Sequence, residues 1–282
     1  MNKSIEELNK INKLREEHQI FMDEHGYPIE DMIYKYSPWA KSEYINKNIK
    51  NSKLYFNCPN DFNDPFDTYP IIDMESVREQ GEEFIPNLFK YICPNIGEDL
   101  VDNIRKSKIK LDDEFWDKYM FKRHTSDGVC CFTAKKDNLL MWAHYADYHK
   151  GICLGFEKNI KFKVKNNGVI SMPKKVTYSE KRPKVDFLNF NKINEINPFT
   201  STLYTKSEEW RYEEEYRCVS LRYIGEVSYA PSNLKQIILG AKMPEKEKDE
   251  VRQLVKILEY PPKLYVAKLK NNQYGLDILE DI

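Results

Sequence analysis

The chain has 282 residues, 41% of them hydrophobic and 13% aromatic, which is enough apolar material for one sizeable core. Lys and Arg total 44 against 45 Asp and Glu, so no global field steers the protein to nucleic acid or to an anionic membrane. No stretch approaches the ~18 apolar residues of a membrane span, the N-terminus carries no signal-type apolar segment, and the 6 cysteines are scattered without a Cys-x-x-Cys pair; together these predict a cytoplasmic protein without a membrane partner.

Ser4 and Glu7 match a capping box, and Ile5, Leu8, Ile11 and Leu14 form an apolar stripe. They predict a helix over 4–24, an N-terminal appendage (1–28) to a single domain spanning 29–282. Ile33-Tyr34-Lys35-Tyr36 reads as a short strand, 38–49 as a helix and Leu54-Tyr55-Phe56 as a second strand. Asn63-Asp64-Pro65 forms a corner, with Phe66 as its anchor in the core. Residues 74–122, broken near Pro94 and Gly97, read as an inserted helical segment.

Val129–Thr133 is a strand, Leu139–Tyr145 a short helix capped by Asp137-Asn138, and Gly151–Phe156 a buried strand. Further strands are expected at 162–164, 169–172, 176–178, 216–221, 226–229 and 236–239, with an Asn-rich loop at 181–200. Pro244 opens a helix running to about Glu259, and Lys263–Leu269 is the last strand. Helices and strands mix without a βαβ rhythm. The expected class is therefore α+β: a mixed, mostly antiparallel sheet core with flanking helices and an inserted helical segment.

Three constellations bear on chemistry. Read as a strand, Trp210–Val219 puts Glu213, Glu215 and Arg217 on one face. Two carboxylates and a guanidinium there form either a pre-oriented site or a cross-neutralised surface row. As a site, one carboxylate would stabilise an oxocarbenium-like sugar while the other positions a nucleophile. In the second constellation, Trp142, Tyr145 and Tyr148 offer an aromatic wall for a planar ring, or simply pack, and His144 is either a site residue or a hydrogen-bonded core histidine. His149 does not fit the i, i+4 spacing of a helical metal pair, so no metal site is expected. The third groups Asn63, Asp64 and Asp67 around Pro65-Phe66, to hold ribose hydroxyls or a metal, or to satisfy their own backbone in an Asx turn. There is no phosphate loop, no Gly-x-Gly-x-x-Gly and no Gly-x-Ser-x-Gly elbow, and only 10 glycines, which argues against ATPases and Rossmann dehydrogenases.

Tyr34-Lys35-Tyr36, Asn63 to Asp67, Cys131-Phe132-Thr133, Leu140 to Ala146, Lys150 to Phe156, and Trp210 with Glu213, Glu215 and Arg217 together resemble a bacterial domain-of-unknown-function family, number 2971 (DUF2971). The resemblance spans about 30–270 and implies a family without an activity. The order of Tyr34-Lys35-Tyr36, Phe132-Thr133 and Glu213-x-Glu215 is similar to ADP-ribosyltransferases, although Lys35 stands where His or Arg is usual and Thr133-Ala134 where Ser-Thr-Ser is. That similarity implies NAD as substrate, with Glu215 catalytic beside Arg217 and Glu213 as helper. It places Tyr34, Lys35, Tyr36, Asn63, Asp64, Thr133, Trp142, His144 and Tyr145 around the nucleotide. It also implies a protein acceptor and a setting in toxin or phage-defence biology. The alternative is a non-catalytic nucleotide-sensing or protein-interaction module. A further alternative is a metal-dependent hydrolase or nuclease using Asp64, Asp67, His144 and Asp147.

Overall fold

Short runs of apolar residues, buried on both faces, build central strands of this protein. In the computed structural model the described residues are 32–39, 46–79, 84–92, 97–107, 112–163, 169–185, 187 and 202–281. The chain divides into the units Met1–Met32 and Ile33–Ile282, and apart from Met32 the described residues belong to the second. The expected helix at 4–24 lies outside them.

The strands are β1 (Met32–Ser37), β2 (Lys53–Phe56), β3 (Ile71–Ile72), β4 (Gly128–Thr133), β5 (Ile152–Glu157), β6 (Phe162–Lys163), β7 (Val169–Ile170) and β8 (Lys174–Lys175). They continue with β9 (Thr177–Ser179), β10 (Lys184–Val185), β11 (Thr205–Ser207), β12 (Glu215–Leu221), β13 (Gly225–Tyr229), β14 (Leu234–Leu239), β15 (Lys263–Leu269) and β16 (Leu276–Glu280). The helices are α1 (Met74–Arg78), α2 (Phe84–Ile92), α3 (Glu98–Lys106), α4 (Asp113–His124), α5 (Leu139–Tyr145) and α6 (Glu245–Lys256).

The main sheet runs β16-β15-β14-β5-β1-β4-β12-β7, with β8 also on β12. β14 and β15 are parallel and joined through α6, whereas β1–β4, β4–β12, β5–β14 and β15–β16 are antiparallel. This is the mixed, mostly antiparallel α+β architecture that the sequence predicts. One sheet face carries the main core, in which Ile33, Phe132, Leu154, Phe156, Tyr216 and Cys218 pack with Val251 and Val255 of α6. Alternation sends Thr133, Glu215 and Arg217 to the other face.

Helices α1 to α4 lie within 74–124, and α1, α2 and α4 close a satellite core of Val77, Phe84, Leu88, Trp116 and Met120 with Val185 and Phe187. Several local expectations change. Of the expected helix at 38–49, the described end, Asn46–Lys50, is one turn of π-helix. Within 181–200, Lys184-Val185 pairs in parallel with Ile71-Ile72, and 188–200 lies outside the described residues. Phe66 is 61% exposed under the Arg182 guanidinium, not a core anchor, because the turn at Asp64 projects it outward.

Candidate functional site: a buried five-charge cluster

Residues 208–214 are not strand. A 3-10 helix spans Glu208–Glu213, and Glu214 adopts a left-handed conformation (φ 42°) that reverses the chain into β12. The charge constellation stays intact, because the reversal delivers Glu213 beside Glu215. Thr133 ties the turn down: its hydroxyl donates to the Glu213 carbonyl (2.5 Å) and accepts from Lys135 N (3.0 Å).

Arg217 is 0% exposed and has all five N–H donors placed. Nε and Nη2 donate to Glu215 (2.7 and 3.0 Å), and Nη1 and Nη2 donate to Asp67 (2.8 and 2.6 Å). The fifth donor, on Nη1, reaches the Leu203 carbonyl at 2.9 Å. From β11, the Lys206 ammonium bridges Glu213 (2.5 Å) and Glu215 (3.2 Å) and lies 3.8 Å from Asp67. Sequence reasoning missed Lys206. It sits in a polar run, and the parallel pairing of β11 with β9 sets it opposite Tyr178, whose hydroxyl accepts from Glu215 N at 2.8 Å.

Glu213 and Glu215 are each 3% exposed but differ in proton affinity. Burial pushes the Glu213 carboxyl up, only partly offset by Lys206. Burial also opposes ionisation of Glu215, yet Arg217 and Lys206 overcome it and hold that carboxyl at about 2. Burial disfavours the charged form of Lys206 in turn, and Glu215, Glu213 and Asp67 outweigh it, so the ammonium stays protonated. Three carboxylates against two cations leave one formal negative charge when all are ionised.

Tyr145 links the cluster to the surface, its hydroxyl donating to Glu213 at 2.6 Å. Burial, with Glu213 next to it, raises its pKa. Asn138 fixes α5 in place: its carbonyl oxygen accepts from Leu140 N and Met141 N (2.9 and 3.2 Å), while its amide donates to Tyr212 O (2.8 Å). Exposed His144 pairs with the Tyr212 hydroxyl at 3.2 Å, and Trp210 packs near Tyr212 with Lys206 over its ring at 4.9 Å. A rim of Tyr145, His144, Tyr212 and Trp210 thus borders the cluster.

The other predicted site residues separate into two groups. Tyr34, Thr133 and Glu215 align across β1, β4 and β12 by strand register, so the three ordered sequence elements are adjacent strands. Tyr36 donates to Lys135 O (2.8 Å) and packs edge-on against Trp142. Trp142 is fully buried, its indole N–H donating to Lys136 O at 3.0 Å, whereas Tyr148 is exposed on a left-handed turn. The expected Trp142–Tyr145–Tyr148 wall is therefore not formed. Lys35 points into the main-core face, donating to Cys131 O (3.1 Å) and lying over Phe132, away from Glu215. Asn63 is exposed, and Asp64 accepts from Phe66 N at 2.9 Å, an Asx turn. Among the described residues no group of His, Cys, Asp and Glu is placed to hold a metal, so Asp64, Asp67, His144 and Asp147 are not gathered into one. No helix among them is long and apolar enough to cross a membrane.

Among curated proteins and among solved structures, none matches the chain. Residues 141–218, a segment holding most of α5 with Lys206, Glu213, Glu215 and Arg217, match the family described as Protein of unknown function (DUF2971).

Proposed function

We propose that this protein acts on NAD at the five-charge cluster, breaking the bond between nicotinamide and ribose as an ADP-ribosyltransferase or NAD glycohydrolase. The observation that carries the reading is a pair of carboxylates bridged by one lysine, with proton affinities pushed in opposite directions. Such a divergence is how two carboxyl groups divide acid–base and electrostatic roles. Glu215, ionised throughout, faces the positive charge that develops on the ribose. The C1′–N bond breaks with its electron pair leaving on nicotinamide. An acceptor oxygen, from water or a protein side chain, bonds to C1′ and gives its proton to Glu213. Lys206 and Arg217 hold the carboxylates, and the rim of Tyr145, Tyr212 and Trp210 supplies planar faces for the ring. A setting in toxin or phage-defence biology belongs to the same reading.

One feature favours a second reading, a module that binds a nucleotide without turnover: both Glu215 oxygens are already occupied by Arg217 and Lys206. Nicotinamide release and NAD-induced thermal stabilisation, measured on the same preparation, separate the two. Release that disappears in Glu215→Gln supports the enzyme. Stabilisation without release supports the module, and neither effect removes both.

A further inference from the structure

Thr68 follows Asp67, the carboxylate that clamps Arg217. It is 1% exposed and has φ 64°, in the left-handed region where a β-branched residue is an outlier. Such a conformation persists only where its surroundings over-determine it, and it tends to do so at working sites. The turn is closed by Tyr69 N donating to the Phe66 carbonyl (3.2 Å), and His124, the last residue of α4, contacts Thr68 itself. The imidazole Nε2 lies 3.2 Å from the Thr68 carbonyl and 3.3 Å from its hydroxyl. Thr68 serves either tautomer: a protonated Nε2 donates to the carbonyl, and an unprotonated one accepts from the hydroxyl. His124 is itself fixed: the Cys58 thiol donates to its carbonyl (3.1 Å), and the Tyr69 ring meets the imidazole edge-on at 5.2 Å.

We propose that His124 is a positioning residue for the charge cluster. By holding Thr68 left-handed it presents both Asp67 oxygens to Arg217, so the helical insertion is coupled to Glu215 through His124, Thr68, Asp67 and Arg217. Its bearing on catalysis rests on the NAD reading, but the latch is read without any activity. In protein carrying 15N-arginine, the Arg217 Nε–H signal, assigned by its absence in Arg217→Lys, reports the clamp directly.

His124→Ala shifts that signal and speeds its hydrogen exchange at least tenfold. His124→Gln, whose amide N–H can reach the Thr68 carbonyl, gives a smaller change. Adding Thr68→Gly to His124→Ala returns the signal toward wild type, because glycine adopts φ 64° without a latch. A side chain that only fills space would leave the double variant no better than the single one. If His124→Ala does not fold, the latch requires that the double variant does. An unchanged Arg217 signal in a folded His124→Ala overturns the proposal. So does damage that Thr68→Gly fails to repair, or a double variant that also fails to fold. Nicotinamide release measured on the same variants then bears on the NAD reading alone.

Discussion

The satellite core under the helical insertion and the charge cluster beside β12 are equally dry, yet they are held by opposite means. Leu88, Trp116, Met120 and Phe187 pack by shape, with Trp116 stacked on Phe187 at 5.2 Å. Losing part of one leaves a cavity, and the cost grows with its volume. Asp67, Lys206, Glu213, Glu215 and Arg217 stand by mutual compensation, so removing one member strands the charge of another. Burial alone therefore does not say how a region fails. A packed core fails by degrees and at any pH, whereas a charge cluster fails at once and with a strong dependence on protonation.

The largest effect is expected from Arg217→Met, which leaves Asp67 and Glu215 buried without their guanidinium. It should cost about 3–5 kcal/mol in urea unfolding near neutral pH, and less in acid where the carboxylates take up protons. Leu88→Ala should cost about 3 kcal/mol with no such dependence. Equal pH profiles for the two variants would break the distinction.

The cluster also sets a pH window for stability. Glu215 titrates lower in the folded state, so its contribution is present above its unfolded pKa and is lost as pH falls from about 4.5 toward 2. The loss is about 3 kcal/mol, on the order of the shift times 1.36 kcal/mol per unit. Glu213 works in the opposite sense. Its raised folded pKa means that stability is fullest below the unfolded value and declines as pH rises through the folded one. Glu213→Gln should remove the alkaline-side decline and keep the acid-side loss. Thermal melts across pH check both slopes.

Two smaller changes sharpen the picture. Tyr145→Phe deletes the hydroxyl that serves Glu213 and should cost about 1–2 kcal/mol, with the Glu213 titration moving further up. Glu214→Gly relieves a left-handed non-glycine residue and gives up only a half-exposed pairing with Lys135 at 3.4 Å. It should gain about 0.5 kcal/mol, read as a small rise in melting temperature.

The sheet is legible because central strands such as β4 and β5 are short, nearly continuous apolar runs, buried on both faces. β1, β4, β5, β12 and β15 lie where the β-branched and aromatic runs put them, and Asn138 caps α5 as its position predicts. Glu213, Glu215 and Arg217 were singled out from local sequence because they are two residues apart. Local sequence offers Asp67 as part of the Asn-Asp-Pro corner or as a metal ligand, not as a partner of Arg217, and it gives no signal for Lys206. Both join the cluster across long or irregular connections: Asp67 meets Arg217 across 150 residues, and the register of Lys206 depends on β9. The turn at Glu214 reads as strand in the sequence because its acid-rich composition hides a left-handed residue that carries no glycine signal. Phe66 shows the converse: an aromatic residue after Pro reads as an anchor, but its turn aims it at solvent.

The most direct test of the cluster as a site of NAD chemistry is nicotinamide release from NAD by the purified protein, beside Glu215→Gln and Glu213→Gln of verified fold. The account predicts release by the wild type, abolished in Glu215→Gln and strongly slowed in Glu213→Gln. Wild-type protein that is folded yet releases no nicotinamide, with acceptor proteins supplied, would contradict it, as would release that both variants retain.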